Sequence, residues 1–153
     1  MKAILNVRLV GRTYMIKKHF LQLAAKIAAS LDNGLRSQHC ALIVRKNRVL
    51  SIGVNQRKTH PKMRRLAWGK NRHRNFLHAE ISALIGASPE ALKNATLYVA
   101  RVTRAGNLAN SKPCSLCRQA ILSTKIKHVV FTINNRTYGV WLPREDKILT
   151  RRL

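Results

Sequence analysis

Over residues 14–31 the apolar positions Met15, Phe20, Leu21, Leu23, Ala24, Ile27, Ala28 and Leu31 return at three- and four-residue steps, the spacing that lines one face of a helix. Asp32-Asn33-Gly34 ends the pattern, so a first helix is predicted over 14–31. Residues 40–44 and 49–54 are short β-rich runs parted by Arg45-Lys46-Asn47-Arg48, which predicts a hairpin with a basic turn. Periodicity then vanishes over 56–75, which is expected to be a loop. Helical spacing returns over 78–85 and 114–122, and strand-like runs occupy 95–102 and 128–133. The tail offers a further strand at Val140-Trp141 and a short element over 147–150, while 1–12 reads as an edge strand or loose arm.

The resulting order is helix, two strands, helix, strand, helix, strand. Strands alternating with helices of this length need crossover connections, so the expected fold is α/β, with parallel later strands and helices covering the faces of the sheet. A length of 153 residues suits one domain, 1–153. No apolar run approaches the ~20 residues that cross a bilayer, and the opening segment lacks the core and cleavage site of a secretory signal. Three cysteines, an odd number, argue against a disulfide framework and for a cytoplasmic or other reducing compartment. The expectation is a soluble protein with no membrane partner.

Charge changes this picture. Thirty Lys and Arg face five acids, Asp32, Glu80, Glu90, Glu145 and Asp146, for a formal net charge of +25. Such a surface attracts phosphate-bearing partners, single-stranded DNA or RNA among them, although a merely solvated basic face gives the same count. The most cationic stretch is 56–75, where Arg57, Lys58, Arg64 and Arg65 are candidate phosphate contacts. Trp68 in the same stretch is a candidate to stack on a base, or an anchor that packs the loop down.

Two short elements carry candidate chemistry. Cys114 and Cys117 sit three positions apart at the start of a predicted helix, so both sulfurs project from one face, and the helix N-terminus favours the thiolate form. Alone, this Cys-x-x-Cys fits half a structural zinc site, a redox pair or two core residues. His78-Ala79-Glu80, 36 residues upstream of Cys114, means little by itself. Together the elements supply two sulfurs and an imidazole, which leaves a tetrahedral ion one open position, as a catalytic zinc requires. Glu80, two residues past His78, is then placed to carry protons at that position without coordinating the metal. Cys40, next to His39, lies in an apolar run and reads as core; the loop histidines His60 and His73 are too widely spaced for a second zinc site, and His19 and His128 have no sequence neighbours that suggest a role.

These residues resemble the cytidine and deoxycytidylate deaminase superfamily, whose zinc signature is His-x-Glu followed by Pro-Cys-x-x-Cys. The likeness runs from about 40 to 131, through Gly53-Val54-Asn55, His78-Ala79-Glu80, Ala95-Thr96-Leu97-Tyr98-Val99, Pro113-Cys114-Ser115-Leu116-Cys117 and His128-Val129-Val130-Phe131. The resemblance implies a three-layer fold with a central five-stranded mixed sheet and helices on both faces. It implies one zinc ion held by His78, Cys114 and Cys117, Glu80 as the proton carrier, Asn55 and Ala79 at the substrate, and a homo-oligomer. The implied reaction is hydrolytic conversion of cytosine to uracil in a phosphate-bearing substrate, most simply deoxycytidylate. His78-Ala79-Glu80-Ile81-Ser82-Ala83-Leu84 also resembles tRNA adenosine deaminases, but Lys112 precedes Pro113 where those enzymes often carry glutamate. Cytosine or adenine within single-stranded DNA or RNA is therefore the second reading, and a basic nucleic-acid module with a structural zinc the third. The stretch 101–112 is expected to form a loop beside the pocket.

Overall fold

The structure is a computed structural model that describes residues 4–9, 12–66 and 76–153. The chain opens with an antiparallel pair, β1 (Ile4–Leu9) and β2 (Arg12–Lys17), followed by α1 (Lys18–Ala29). The first helix thus begins four residues later than its apolar spacing suggests. Tyr14 and Ile16 are buried and Met15 is exposed, a period of two that a short segment shares with the edge of a helical pattern.

β3 (Ser37–Arg45) and β4 (Arg48–Val54) form the expected hairpin. Lys46 and Asn47 both take positive φ, 48° and 64°, as a two-residue turn between twisted strands demands. The basic segment is less irregular than its composition implies. It contains β5 (Gln56–Thr59) and α2 (Pro61–Leu66), and β5 pairs with β6 (Phe76–Leu77). His60 accepts the Lys62 backbone N–H through Nδ1 and so caps α2. Trp68, His73 and the cations Lys70, Arg72 and Arg74 lie outside the described residues.

Then follow α3 (Ala79–Ile85), α4 (Pro89–Leu92), β7 (Thr96–Thr103), β8 (Leu108–Ala109), α5 (Ser115–Leu122), β9 (His128–Thr132), β10 (Thr137–Leu142) and β11 (Lys147–Arg152). The main sheet runs β11-β10-β9-β7-β3-β4, with β8 paired to β7. β7 and β9 are parallel and every other neighbouring pair is antiparallel, so the sheet is mixed. It has seven strands rather than five: β8 is a two-residue addition, and β11 continues the β9–β10 meander at the edge.

Helices cover both faces. Cys40, Leu42 and Val44 of β3 point to the layer of α1, where Phe20, Leu21, Ala24 and Ala28 bury. Ala41 and Ile43 point to the opposite layer, built from Ile81, Ala83 and Leu84 of α3 and Leu116, Ala120 and Ile121 of α5. Cys40 is fully buried and its thiol is pushed up to about 12 by that burial, in keeping with a core role. His128 is also interior, its ring edge-on to Tyr14. No described helix is long and apolar enough to cross a membrane.

Candidate metal centre and pocket

Two helix starts converge at the end of the sheet where β4 and β7 finish. His78 is the N-cap of α3 and Cys114 the N-cap of α5; both are extended, and neither side chain caps its own helix by a hydrogen bond. Cys117 lies one turn into α5 and is buried. The ligand atoms of His78, Cys114 and Cys117 all lie within 4.8 Å of one another. His78 Nδ1 is 3.3 Å from Cys117 Sγ and 3.5 Å from Cys114 Sγ. Two sulfurs and an imidazole nitrogen are zinc's preferred donors, and three protein ligands, the number found among the described residues, is the count of an open site. The donor set therefore fits one zinc ion.

Local electrostatics favour a charged sulfur. The Cys114 thiol is drawn down to about 3, first by its hydrogen bond with Cys117 and further by His78 and the Cys117 backbone N–H. The same shared bond, with burial, pushes the Cys117 thiol up. Glu80 is buried beside them. Desolvation raises its carboxyl above the usual carboxylate range, against the lowering pull of its own backbone N–H, His78 and a hydrogen bond with Cys117.

His78, Glu80 and Cys114 face a cavity of about 410 Å³, with Cys117 buried behind them. His78, Ala79, Glu80 and Cys114 form one wall; Ser37, His39 and Asn55 form another. Phe76, exposed, and Leu77 lie at the entry to α3, while Asn110, Ser111 and Lys112 close the cavity from the loop after β8. That loop is fastened to the sheet. Ser111 Oγ donates to the Val99 carbonyl at 2.8 Å and accepts the Thr132 N–H at 2.9 Å, and Thr132 Oγ1 donates to the Ala109 carbonyl at 2.7 Å.

Several site residues named from the sequence sit elsewhere in the architecture. Arg57, Lys58, Arg64 and Arg65 are exposed and do not line the cavity; the Arg57 guanidinium donates to the Gly34 carbonyl at 2.7 Å. Among the described residues the cations that line it are Arg36 and Lys112. Asn55 lines it too, but its side chain is largely occupied: Oδ1 accepts from the His39 N–H at 2.8 Å and from Asn33 Nδ2 at 3.2 Å, and Nδ2 donates to the Ser37 carbonyl at 3.0 Å. His39 escaped the sequence reading as a pocket residue. The signal was present: if Cys40 faces the core of one layer, strand alternation turns His39 to the other, which is the layer of His78.

The chain matches the family model "Cytidine and deoxycytidylate deaminase zinc-binding region" over residues 15–133. It is 25% identical over 134 residues to a probable deoxycytidylate deaminase of Caenorhabditis elegans, an alignment covering 83% of this chain and 63% of that protein, so the chain spans under two thirds of this relative. Among solved structures it is similar to a dCMP deaminase of the cyanophage S-TIM5 (TM-score 0.48, 20% identity, 76% of this chain and 84% of that one). It is also similar to a Mycobacterium tuberculosis cytidine deaminase (TM-score 0.49, 16% identity, 78% and 92%). An Acinetobacter baumannii RibD matches at TM-score 0.44 and 23% identity over 74% of this chain but only 27% of its own. With a family match across residues 15–133 and the family's zinc ligands gathered at one cavity, the chain belongs to the cytidine and deoxycytidylate deaminase family.

Proposed function

We propose that the protein hydrolytically deaminates cytosine to uracil in a phosphate-bearing substrate, most simply deoxycytidylate. The observation that carries this reading is the pairing of the His78, Cys114 and Cys117 ligand set with a buried Glu80 on the wall of one cavity. When bound, zinc supplies the Lewis acidity that brings a water molecule's pKa toward neutrality. His78, Cys114 and Cys117 hold the ion. Glu80 moves the protons: its carboxylate accepts one from the attacking water as the new C–O bond forms at C4 and gives it to N3 of the ring, then takes the second from the hydroxyl on C4 and gives it to the departing amine as the C–N bond breaks. Water's oxygen ends on the ring and its two hydrogens on N3 and ammonia, so the step balances with no further reactant. Burial suits Glu80 to this work, because a carboxyl raised above the usual carboxylate range holds a proton more readily when it must carry one.

Arg36 and Lys112 support the phosphate. Among the described residues they are the charged groups of the cavity apart from the Glu80 carboxyl and the metal ligands, and both can meet a monophosphate as it enters. A second reading, cytosine within a single strand, draws on Phe76, which is exposed beside the mouth where a neighbouring base could stack.

Mass spectrometry of zinc-loaded protein with cytidine, deoxycytidine, their monophosphates and short oligonucleotides tests both readings through amine-to-carbonyl exchange. Conversion of deoxycytidylate is expected. Conversion of oligonucleotides alone would replace the first reading with the second, and no conversion of any substrate would reject both. Glu80→Gln is expected to keep its zinc while turnover drops by roughly 10²- to 10⁴-fold. Cys117→Ala is expected to lose the metal itself.

A further inference from the structure

We propose that His39 is a specificity-determining substrate contact: its imidazole, on the cavity wall between Asn55 and the His78–Cys114 pair, hydrogen-bonds the nucleotide bound there. The inference rests on the deaminase reading above and adds to it a polar contact that no motif names.

The argument begins with Asn55. A pocket that selects a polar ring or sugar needs convergent hydrogen-bonding groups, since these rather than apolar lining fix orientation. Asn55 stands on the right wall, yet its Oδ1 already accepts two bonds and its Nδ2 spends one hydrogen on Ser37, which leaves a single N–H. Its role is largely that of a clamp tying the end of β4 to the start of β3. His39 is the residue so clamped. Its backbone N–H donates to Asn55 Oδ1 at 2.8 Å and its carbonyl accepts the Asn55 N–H at 3.3 Å, so its Cα is fixed on both sides.

The side chain's direction follows from the strand. Ala41 and Ile43 face the α3 and α5 layer, and His39 shares their side of β3, at the end where the cavity opens. Neither ring nitrogen has a hydrogen-bond partner among the described residues, although the ring is partly buried. An imidazole in a cavity wall with no partner among the described residues is available to a bound ligand. In its neutral form the imidazole offers one donor and one acceptor, the pair that a nucleobase edge or a sugar hydroxyl can meet.

The test uses full-length, zinc-loaded protein. Binding of deoxycytidylate is measured calorimetrically to Glu80→Gln, which does not consume the ligand, with and without His39→Ala. A rise of about tenfold or more in Kd, with zinc content and circular dichroism unchanged, is expected for loss of one ligand hydrogen bond. His39→Gln, which keeps a donor and an acceptor, is expected to recover part of the loss, and in the Glu80 background of the natural chain kcat/KM for deoxycytidylate should follow the same order. Equal Kd with and without the imidazole overturns the contact, whatever the turnover. If the nucleotide binds with the expected His39 dependence but the natural chain deaminates nothing, the catalytic reading fails while the contact stands. A Gln variant as weak as Ala, both having lost zinc or fold, assigns His39 to structure and overturns the proposal.

Discussion

Gly53 shows how narrowly one residue can position the metal site. Its bare Cα faces the backbone of α3, and a Cβ there would collide with the Ala79 carbonyl and the Ala83 amide. Backbone atoms of a packed helix cannot swing aside as a side-chain tip can, so Gly53→Ala must push α3 away from β4. The overpacking cost is expected to be about 1–3 kcal/mol or more, read as a fall in denaturation midpoint. Because Ala79 lies between His78 and Glu80, the shift also reaches the ligand set, and zinc occupancy should drop alongside stability. Gly106→Ala serves as the contrast. That glycine has φ +83° but no atom within 4 Å of a new Cβ, so it should cost only the roughly 1–2 kcal/mol of a left-handed conformation, with zinc retained.

At the scale of elements, the fastening of residues 109–114 decides how well Lys112 and Cys114 are held. Ser111 is buried, and its hydroxyl serves both the Val99 carbonyl on β7 and the Thr132 N–H on β9. Ser111→Ala leaves both backbone groups without that partner, which is expected to cost about 1–3 kcal/mol in a urea melt. KM for deoxycytidylate is expected to rise and zinc content to fall with it, since the segment that carries both Lys112 and Cys114 loosens. The elements around this loop were legible in the sequence, because short β-rich runs mark 40–44 and 49–54 and helical spacing marks 78–85 and 114–122. The His78, Cys114 and Cys117 cluster was legible because its members sit at the two helix starts which that spacing fixes. The basic stretch hid β5 and α2, since an exposed four-residue strand has no buried alternation to display and α2 buries a single residue, Met63. Arg36 and His39 were hidden differently. They come from a loop and a strand end, and only the closed sheet brings them to one cavity with Lys112 of the loop that was expected beside the pocket.

For the whole molecule, the dominant fact is a charge of +25 with few internal partners for it. Of the five acids, Glu90 pairs with Lys93, Asp146 pairs with Arg118, Glu145 accepts from the Tyr14 hydroxyl and Glu80 is buried in the cavity. Among the described residues these are the two ion pairs, so most cations face one another across solvent. Self-repulsion of this kind destabilises the compact state and is screened by salt, whose Debye length falls from about 30 Å at 0.01 M to about 8 Å at 0.15 M. Raising NaCl from 10 to about 150 mM is therefore expected to raise Tm by roughly 3–6 °C, equivalent to about 1–2 kcal/mol for a chain of this length. Substrate binding should move the opposite way, because salt also screens the attraction for phosphate. The slopes separate the two substrate readings: a monophosphate held by Arg36 and Lys112 should weaken only shallowly over this range, whereas a strand engaging many phosphates loses affinity with a slope near −0.7 per neutralised phosphate. Differential scanning fluorimetry and KM measured across one salt series would show both trends. A Tm that stays flat would mean that the cations are paired by groups beyond those described, and the electrostatic account of this surface would fail with it.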